Sequence, residues 1–329
     1  MGSRAMKGRK GTKVKNKKVI VLSVLGVFVA FIAAGVFGVV TLCNSWLEDL
    51  PDYQNADAYN TAQPTMVYAS DGTTLLAEFQ LENRDPVALD QISEYVLKGT
   101  VATEDERFYT HSGVDYLGVA RALVNNLMGG ELEGASTITQ QFVRNTILSD
   151  EMRDISFKRK IREMYISQKL EEQYSKDEIL LMYLNTINYG SGAYGIEAAA
   201  ERYFSKDAKD LTLNEAATLV GIPQSPTYNN PIDYPDNCLK RRNTVLDRMV
   251  SNGVITAEEA DAVKAEPIEL NPSEPSMTGI LAYPYFTSYV RDTLLNDYAY
   301  TSDELFQGGQ FHAAGEDIHG GVKLFQGRQ

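Results

Sequence analysis

The sequence predicts a mainly helical fold, entered through one membrane-crossing helix and a small hairpin-containing segment, and three observations carry this. First, four hydroxyl residues are each followed three positions later by Glu or Gln: Thr137 with Gln140, Ser175 with Glu178, Thr212 with Glu215 and Thr256 with Glu259. In this capping box the hydroxyl accepts from a free amide of the first helical turn, and the Glu or Gln reaches back to the cap amide. Four such starts do not fit a sheet protein. Second, Val19 to Leu47 contains no Asp, Glu, Lys or Arg. Third, in TMVYASDGTTLLAEF two apolar-rich runs flank Asp71-Gly72, a pair that supplies the positive φ angles of a tight hairpin turn.

In chain order, residues 1–18 carry eight bases (Arg4, Lys7, Arg9, Lys10, Lys13, Lys15, Lys17, Lys18) and no acid. The apolar stretch Val19–Cys43 would run roughly 37 Å as a helix at about 1.5 Å per residue, enough to cross a hydrocarbon core of about 30 Å. Bases before an apolar span hold the N-terminus in the cytoplasm, which puts the following chain outside the cell membrane, with Trp46 at the interface. A cleaved signal peptide has a shorter apolar core and ends in small residues, whereas here Leu42 precedes Cys43; a retained single-pass anchor is expected.

The chain has 31 bases and 44 acids, and setting aside the eight N-terminal bases leaves 23 against 44. So acidic an outer part repels nucleic acid. Cys43 and Cys238 are the only cysteines, so a disulfide framework is excluded.

Residues 44–64, polar and rich in Asp, Asn and Ala, read as a stalk. A domain follows over 65–290, helical from about Ile92 to about 266. Its helices stop at Gly129-Gly130, at Gly190 to Gly195, and at Pro223, Pro226 and Pro231. Residues 291–329 read as a linker remnant and disordered tail, in which His312 and His319 do not amount to a metal site.

Chemistry concentrates in three stretches. In ATEDERFYTHSG (102–113), a helix would place Glu104, Arg107, Phe108 and His111 at i, i+3, i+4 and i+7 on one face. An ordinary solvated helix with a buried histidine is the alternative. GASTITQQFVRN (134–145) puts glycine-permitted loop residues before a hydroxyl-rich helix start. Free amides there, with Ser136, Thr137, Thr139 and Gln140, suit an anion or sugar hydroxyls, or simply cap a helix. KRKIREMYISQKLEEQY (158–174) sets Arg159 and Lys160 four and three residues before Glu163, on one helix face.

With KDEILLMYLNTINYGSGAYGIEAAAERYF (176–204) and LTLNEAATLVGIPQSPTYNNP (211–231), these blocks resemble the glycosyltransferase module of class A penicillin-binding proteins and monofunctional peptidoglycan glycosyltransferases. Glu104, Asp105, Phe108, His111 and Gly113 fit that family's first motif. Gly134 with Ser136 to Gln141 fits the second, and Arg159, Lys160 and Glu163 fit the third. The resemblance covers about residues 65–290.

It implies a lysozyme-like helical lobe with a smaller jaw against the membrane, polymerising lipid II into β-1,4 glycan strands with inversion and release of lipid pyrophosphate. Glu104 would be the general base for the acceptor's 4-hydroxyl, in a partly buried setting behind Phe108 of the kind that raises a Glu pKa. Arg159 and Lys160 would neutralise the pyrophosphate, with a divalent metal (Mg or Mn) as the one cofactor the chemistry has room for and no organic cofactor. Glu163 would orient those bases or the donor, while Asp105, His111, Ser136, Thr137 and Gln140 would contact substrate. The partners implied are lipid II, the growing strand, the membrane and other cell-wall synthesis proteins.

Two positions depart from the family pattern: Leu181 stands where a Glu is usual and Ile155 where a base is common, with Arg153 two residues from the latter. The Ser-x-x-Lys and Lys-Thr-Gly of a penicillin-binding transpeptidase do not occur in the sequence, so a bifunctional protein without that domain is expected. A lysozyme-like lytic enzyme and an inactive scaffold of cell-wall synthesis are the alternative readings.

Overall fold

The structure, a computed structural model, describes residues 12–54, 65–68, 75–79, 85–129, 134, 136–152, 154–273, 310–316 and 322–326. Contacts divide the chain into two units, Met1–Leu50 with Ser156–Arg162, and Pro51–Ile155 with Glu163–Gln329.

In the first unit, α1 (Thr12–Trp46) is longer than the expected 19–43 span, because neither Pro nor Gly interrupts its polar ends. Its Val21–Trp46 part is long and apolar enough to cross a membrane by length and composition. Just beyond it, the carbonyl of Asp49 accepts a hydrogen bond from the buried Arg162 guanidinium.

The second unit is mainly α. Its helices are α2 (Glu94–Glu104), α3 (Tyr116–Leu127), α4 (Ile138–Asn145), α5 (Phe157–Gln173, whose first turns belong to the other unit), α6 (Lys176–Thr186), α7 (Ile196–Phe204), α8 (Leu213–Gly221), α9 (Pro235–Ser251) and α10 (Ala257–Lys264). All four capping boxes form, on α4, α6, α8 and α10. The stops also fall where glycine and proline predict them, α6 and α7 being separated by the Gly190 to Gly195 segment. The core is built by α2 on α8 and α9, and by α4 on α6. Val96, Phe142, Leu219 and Val245 are fully buried within it.

Two expectations are corrected. The helix through 102–113 ends at Glu104, after which come a turn, a short 3-10 segment at Phe108–Thr110 and extended His111. Glu104 and His111 therefore do not share a helix face; Asp105 leaves the helix at φ −159° and ψ 76°, and its carboxylate meets His111 and the Ile138 amide instead. The tail expected to be disordered contains β3 (Gln310–Glu316) and β4 (Val322–Gln326). The expected hairpin strands, β1 (Thr65–Tyr68) and β2 (Leu75–Phe79), pair antiparallel. The free edge of β1 then takes β3 in parallel, Val67 opposite Phe311, giving sheet order β2-β1-β3-β4. An unpaired strand edge carries unsatisfied backbone groups, which the tail strand satisfies. The Asp71-Gly72 turn, Gly130, Arg153 and His319 lie outside the described residues.

Gly113 shows how closely α5 approaches the first motif. Its φ is +79°, and a Cβ there would lie 2.6 Å from the backbone nitrogen of Gln168 and the carbonyl carbon of Ser167. Gly253 has a similar φ of +68° with open space around it. Gly253→Ala should therefore cost only backbone strain, about 1 to 2 kcal/mol. Gly113→Ala adds overlap with fixed backbone and should cost about 2 to 5 kcal/mol in total. Urea unfolding of the two variants in detergent checks this; equal midpoints would mean that α5 does not press on Gly113.

Candidate active site

The site begins where α2 stops. Asp105, at φ −159° and ψ 76°, turns the chain out of the helix just after Glu104. Its carboxylate is buried and lies 2.8 and 3.1 Å from His111 Nε2 through its two oxygens, and Oδ2 accepts from the amide of Ile138 at 3.1 Å. That amide is the first of α4, one of the helix-start donors with no partner inside the helix. Asp105 thus satisfies α4 from outside, while Thr137 and Gln140 satisfy it from within. The Thr137 hydroxyl also donates to the Gly113 carbonyl at 2.7 Å, tying the second motif to the first.

Glu104 is held from two sides. Gln141 Nε2 donates to Oε2 at 2.8 Å, and an Arg241 guanidinium nitrogen lies 3.3 Å from Oε1. The Gln141 amide is oriented in turn by Tyr183, whose hydroxyl donates to Gln141 Oε1 at 3.3 Å. Burial, then the Glu104 charge, raises the Tyr183 phenol well above its ordinary value, and the same two causes raise Tyr189. Both phenols stay protonated beside the carboxylate. Burial lowers Arg241 from its usual value, and Glu104 acts against that. A carboxylate has about four acceptor directions, so two bonds leave room for a proton from the open side.

That open side is a cleft of about 580 Å³. Glu104 and Asp105 line it at the end of α2, Ser136, Thr137 and Gln141 line it at the start of α4, and Arg144 lines it from the last turn of α4. Arg241, Thr244 and Arg248 line it from α9, where i, i+3 and i+7 share one face. Arg121 completes the lining from α3 and pairs with Glu106 at 2.7 Å, which lowers the Glu106 pKa. Burial would raise Asp115, but the Gly118 amide and Arg107 outweigh it and hold the carboxyl below its ordinary value.

Of the residues singled out in the sequence, Glu104, Asp105, Ser136 and Thr137 line the cleft together. His111 sits behind Asp105, and Gln140 is buried in its cap. Glu163 is fully buried on α5, its carbonyl accepting from the Ser167 hydroxyl, and does not line the cleft. Arg159 and Lys160 belong to the unit that contains α1. Sequence reasoning missed Arg241 and Arg248, for which the available signal was two arginines seven apart on one helix face in an acidic chain. It also left out Arg144, which lies inside the stretch it quoted, and it counted Gln141 in the second motif without giving it a contact with Glu104. Among the described residues no three His, Cys, Asp or Glu form a group that could hold a metal ion.

A family model described as Transglycosylase matches residues 72–250. Penicillin-binding protein 1F of Bacillus subtilis is 36% identical over 303 residues, covering 90% of this chain and 40% of that protein. Penicillin-binding protein 1A of Escherichia coli is 40% identical over 256 residues, covering 78% of this chain and 29% of that one. The crystal structure of Penicillin-Binding Protein 1A from Haemophilus influenzae aligns with 25% identity and a TM-score of 0.43, over 76% of this chain and 27% of that chain. The chain thus spans well under half the length of these relatives.

Asp105→Asn keeps the shape but replaces one acceptor oxygen by a donor facing His111 Nε2. It should lower stability by about 1 to 3 kcal/mol, the range for hydrogen bonds to a charged group and for a buried group left unsatisfied. Denaturant unfolding checks this, and an unchanged midpoint would show that the carboxylate does not hold α4.

Proposed function

Since this chain belongs to the transglycosylase family, we propose that it is a peptidoglycan glycosyltransferase that uses lipid II as donor and acceptor and extends β-1,4 glycan strands. One observation carries the reading: a carboxylate with a free side, Glu104, and three arginines, Arg144, Arg241 and Arg248, line one cleft. A sugar hydroxyl is a poor nucleophile and needs a base within hydrogen-bond reach as it attacks. Glu104 takes the proton of the acceptor's 4-hydroxyl. The oxygen then attacks the donor's anomeric carbon from the face opposite the leaving group, so the bond to the lipid pyrophosphate breaks with inversion.

The departing pyrophosphate gains charge as the bond breaks, and guanidinium groups hold phosphate oxygens bidentately. Arg144 and Arg248 supply the opposing positive charge, while Arg241 orients Glu104. The resemblance gives Arg159 and Lys160 a share in the pyrophosphate and Glu163 a share in orienting the donor. A divalent metal, for which the described residues offer no group of three His, Cys, Asp or Glu, would add positive charge at the pyrophosphate. A lytic enzyme, by contrast, has no anionic leaving group for which three arginines would be needed. The eight bases before Val19 favour an N-terminus inside and a catalytic unit outside, facing the lipid-linked substrate, with other cell-wall synthesis proteins as partners.

Glu104→Gln keeps an oxygen and the side-chain shape but cannot accept a proton. Incubated with labelled lipid II in detergent, this variant should polymerise at least about 100-fold more slowly than the unaltered protein while remaining folded. Retention of more than about a tenth of the rate would remove Glu104 from the base role. For the orientation, protease added to intact spheroplasts should digest the catalytic unit, whereas survival of that unit would reverse the assignment.

A further inference from the structure

Behind the cleft, Lys176 and Glu171 are unclaimed by the chemistry above, and their contacts close a ring around Asp105. Lys176 opens α6, next to the capping Ser175. Its ammonium is 2.7 Å from Glu171 Oε2, 3.4 Å from His111 Nδ1 and 4.5 Å from the centre of the Phe108 ring. Glu171 is almost wholly buried, and its Oε1 accepts from the Thr139 hydroxyl at 2.6 Å. Thr139 follows Ile138, whose amide donates to Asp105, and His111 Nε2 closes the ring on the same carboxylate. Tyr109 adds a second tie to α6 by donating to Asp177 at 3.0 Å.

An ammonium has three donors and no acceptor, so the nitrogen it faces must accept. His111 Nδ1 therefore carries no proton, and the ring proton lies on Nε2, pointing at Asp105. Without Lys176 the imidazole is free to exchange its two tautomers, and one of them turns a lone pair on the Asp105 carboxylate. Asp105 is the next residue after Glu104.

We propose that Lys176 and Glu171 are positioning residues for the transfer reaction: Lys176 fixes the His111 tautomer, Glu171 fixes Lys176 and α4, and together they hold Asp105 and thereby the direction of Glu104. This rests on the glycosyltransferase reading. Neither residue touches substrate, so their loss moves the turnover rate and leaves substrate affinity alone.

The test uses the full chain in detergent. Lys176→Met should lower kcat for lipid II polymerisation by about tenfold or more with KM little changed, as for a base displaced by a fraction of an ångström. Lys176→Arg, which keeps a donor and a charge, should recover most of that loss. Because Lys176→Met strands the buried Glu171 charge, the double variant Lys176→Met with Glu171→Gln separates folding from positioning. It should be folded yet still slow, and wild-type turnover in it would reduce the lysine to a charge partner and overturn the proposal.

A second readout does not need activity. Nitrogen-15 spectra of histidine-labelled protein, assigned against His111→Gln, should show one tautomer protonated at Nε2 in the unaltered chain and a mixture in Lys176→Met. A proton on Nδ1 in the unaltered chain overturns the proposal. Unaltered protein that folds, shows the expected tautomer and does not polymerise lipid II would sink the functional reading alone.

Discussion

The Asp105 carboxylate is the constraint on which the rest of the site depends. One buried side chain ends α2, receives the imidazole of His111 and satisfies the first amide of α4. Buried carboxylates are costly unless their acceptor directions are filled, and here the donors come from segments that otherwise have no reason to meet. The consequence is geometric. Glu104 stands at a helix terminus, its backbone fixed by α2 packing on α8 and α9, while the start of α4 is pinned beside it with Gln141 and Arg144 facing the same space.

The charge of the chain makes sense only at two scales. At −13 overall, its far field disfavours anions. Screening limits that field to about 10 Å in ordinary salt, however, so a local cluster governs what binds in the cleft. The arginines from α3, α4 and α9 supply that cluster, and two of the acids among them are partly spent on cations: Glu106 on Arg121 and Asp115 on Arg107. Glu104 differs, since Arg241 touches only one of its oxygens and Gln141, a neutral donor, touches the other.

What could be read from the sequence follows from how local each determinant is. The four capping boxes join residues three apart, and the apolar span of α1 is a property of composition, so both were legible without tertiary information. The end of α2 was not, because nothing in ATEDERF forbids another turn. The residue that follows the helix, Asp105, has its carboxylate on the amide of Ile138, 33 residues away. Arg241 is 137 residues from the carboxylate it touches, and residues on α9 that face Glu104 cannot be told from a solvated face by spacing alone. The tail strands failed for the same reason, since the order of Gln310–Glu316 comes from an edge of β1 formed by residues near position 66. The motif resemblance reached the site where periodicity could not, though it gave a substrate role to Gln140, which the cap consumes, and none to Gln141 of the same motif, which holds the base.

The Tyr183, Gln141 and Glu104 series shows why neutral partners suit a base. A phenol that could ionise would repel the carboxylate and let the glutamine amide turn over. Burial prevents this by keeping Tyr183 and Tyr189 protonated. With its oxygen held by a donor that cannot leave, Gln141 has one orientation, and its amine must face Glu104. A second full cation there would bind the carboxylate more tightly and make it a weaker base, because an opposite charge favours the ionised form. An amide gives direction at a smaller cost in basicity. The single guanidinium, at 3.3 Å from one oxygen, adds a second direction without enclosing the group.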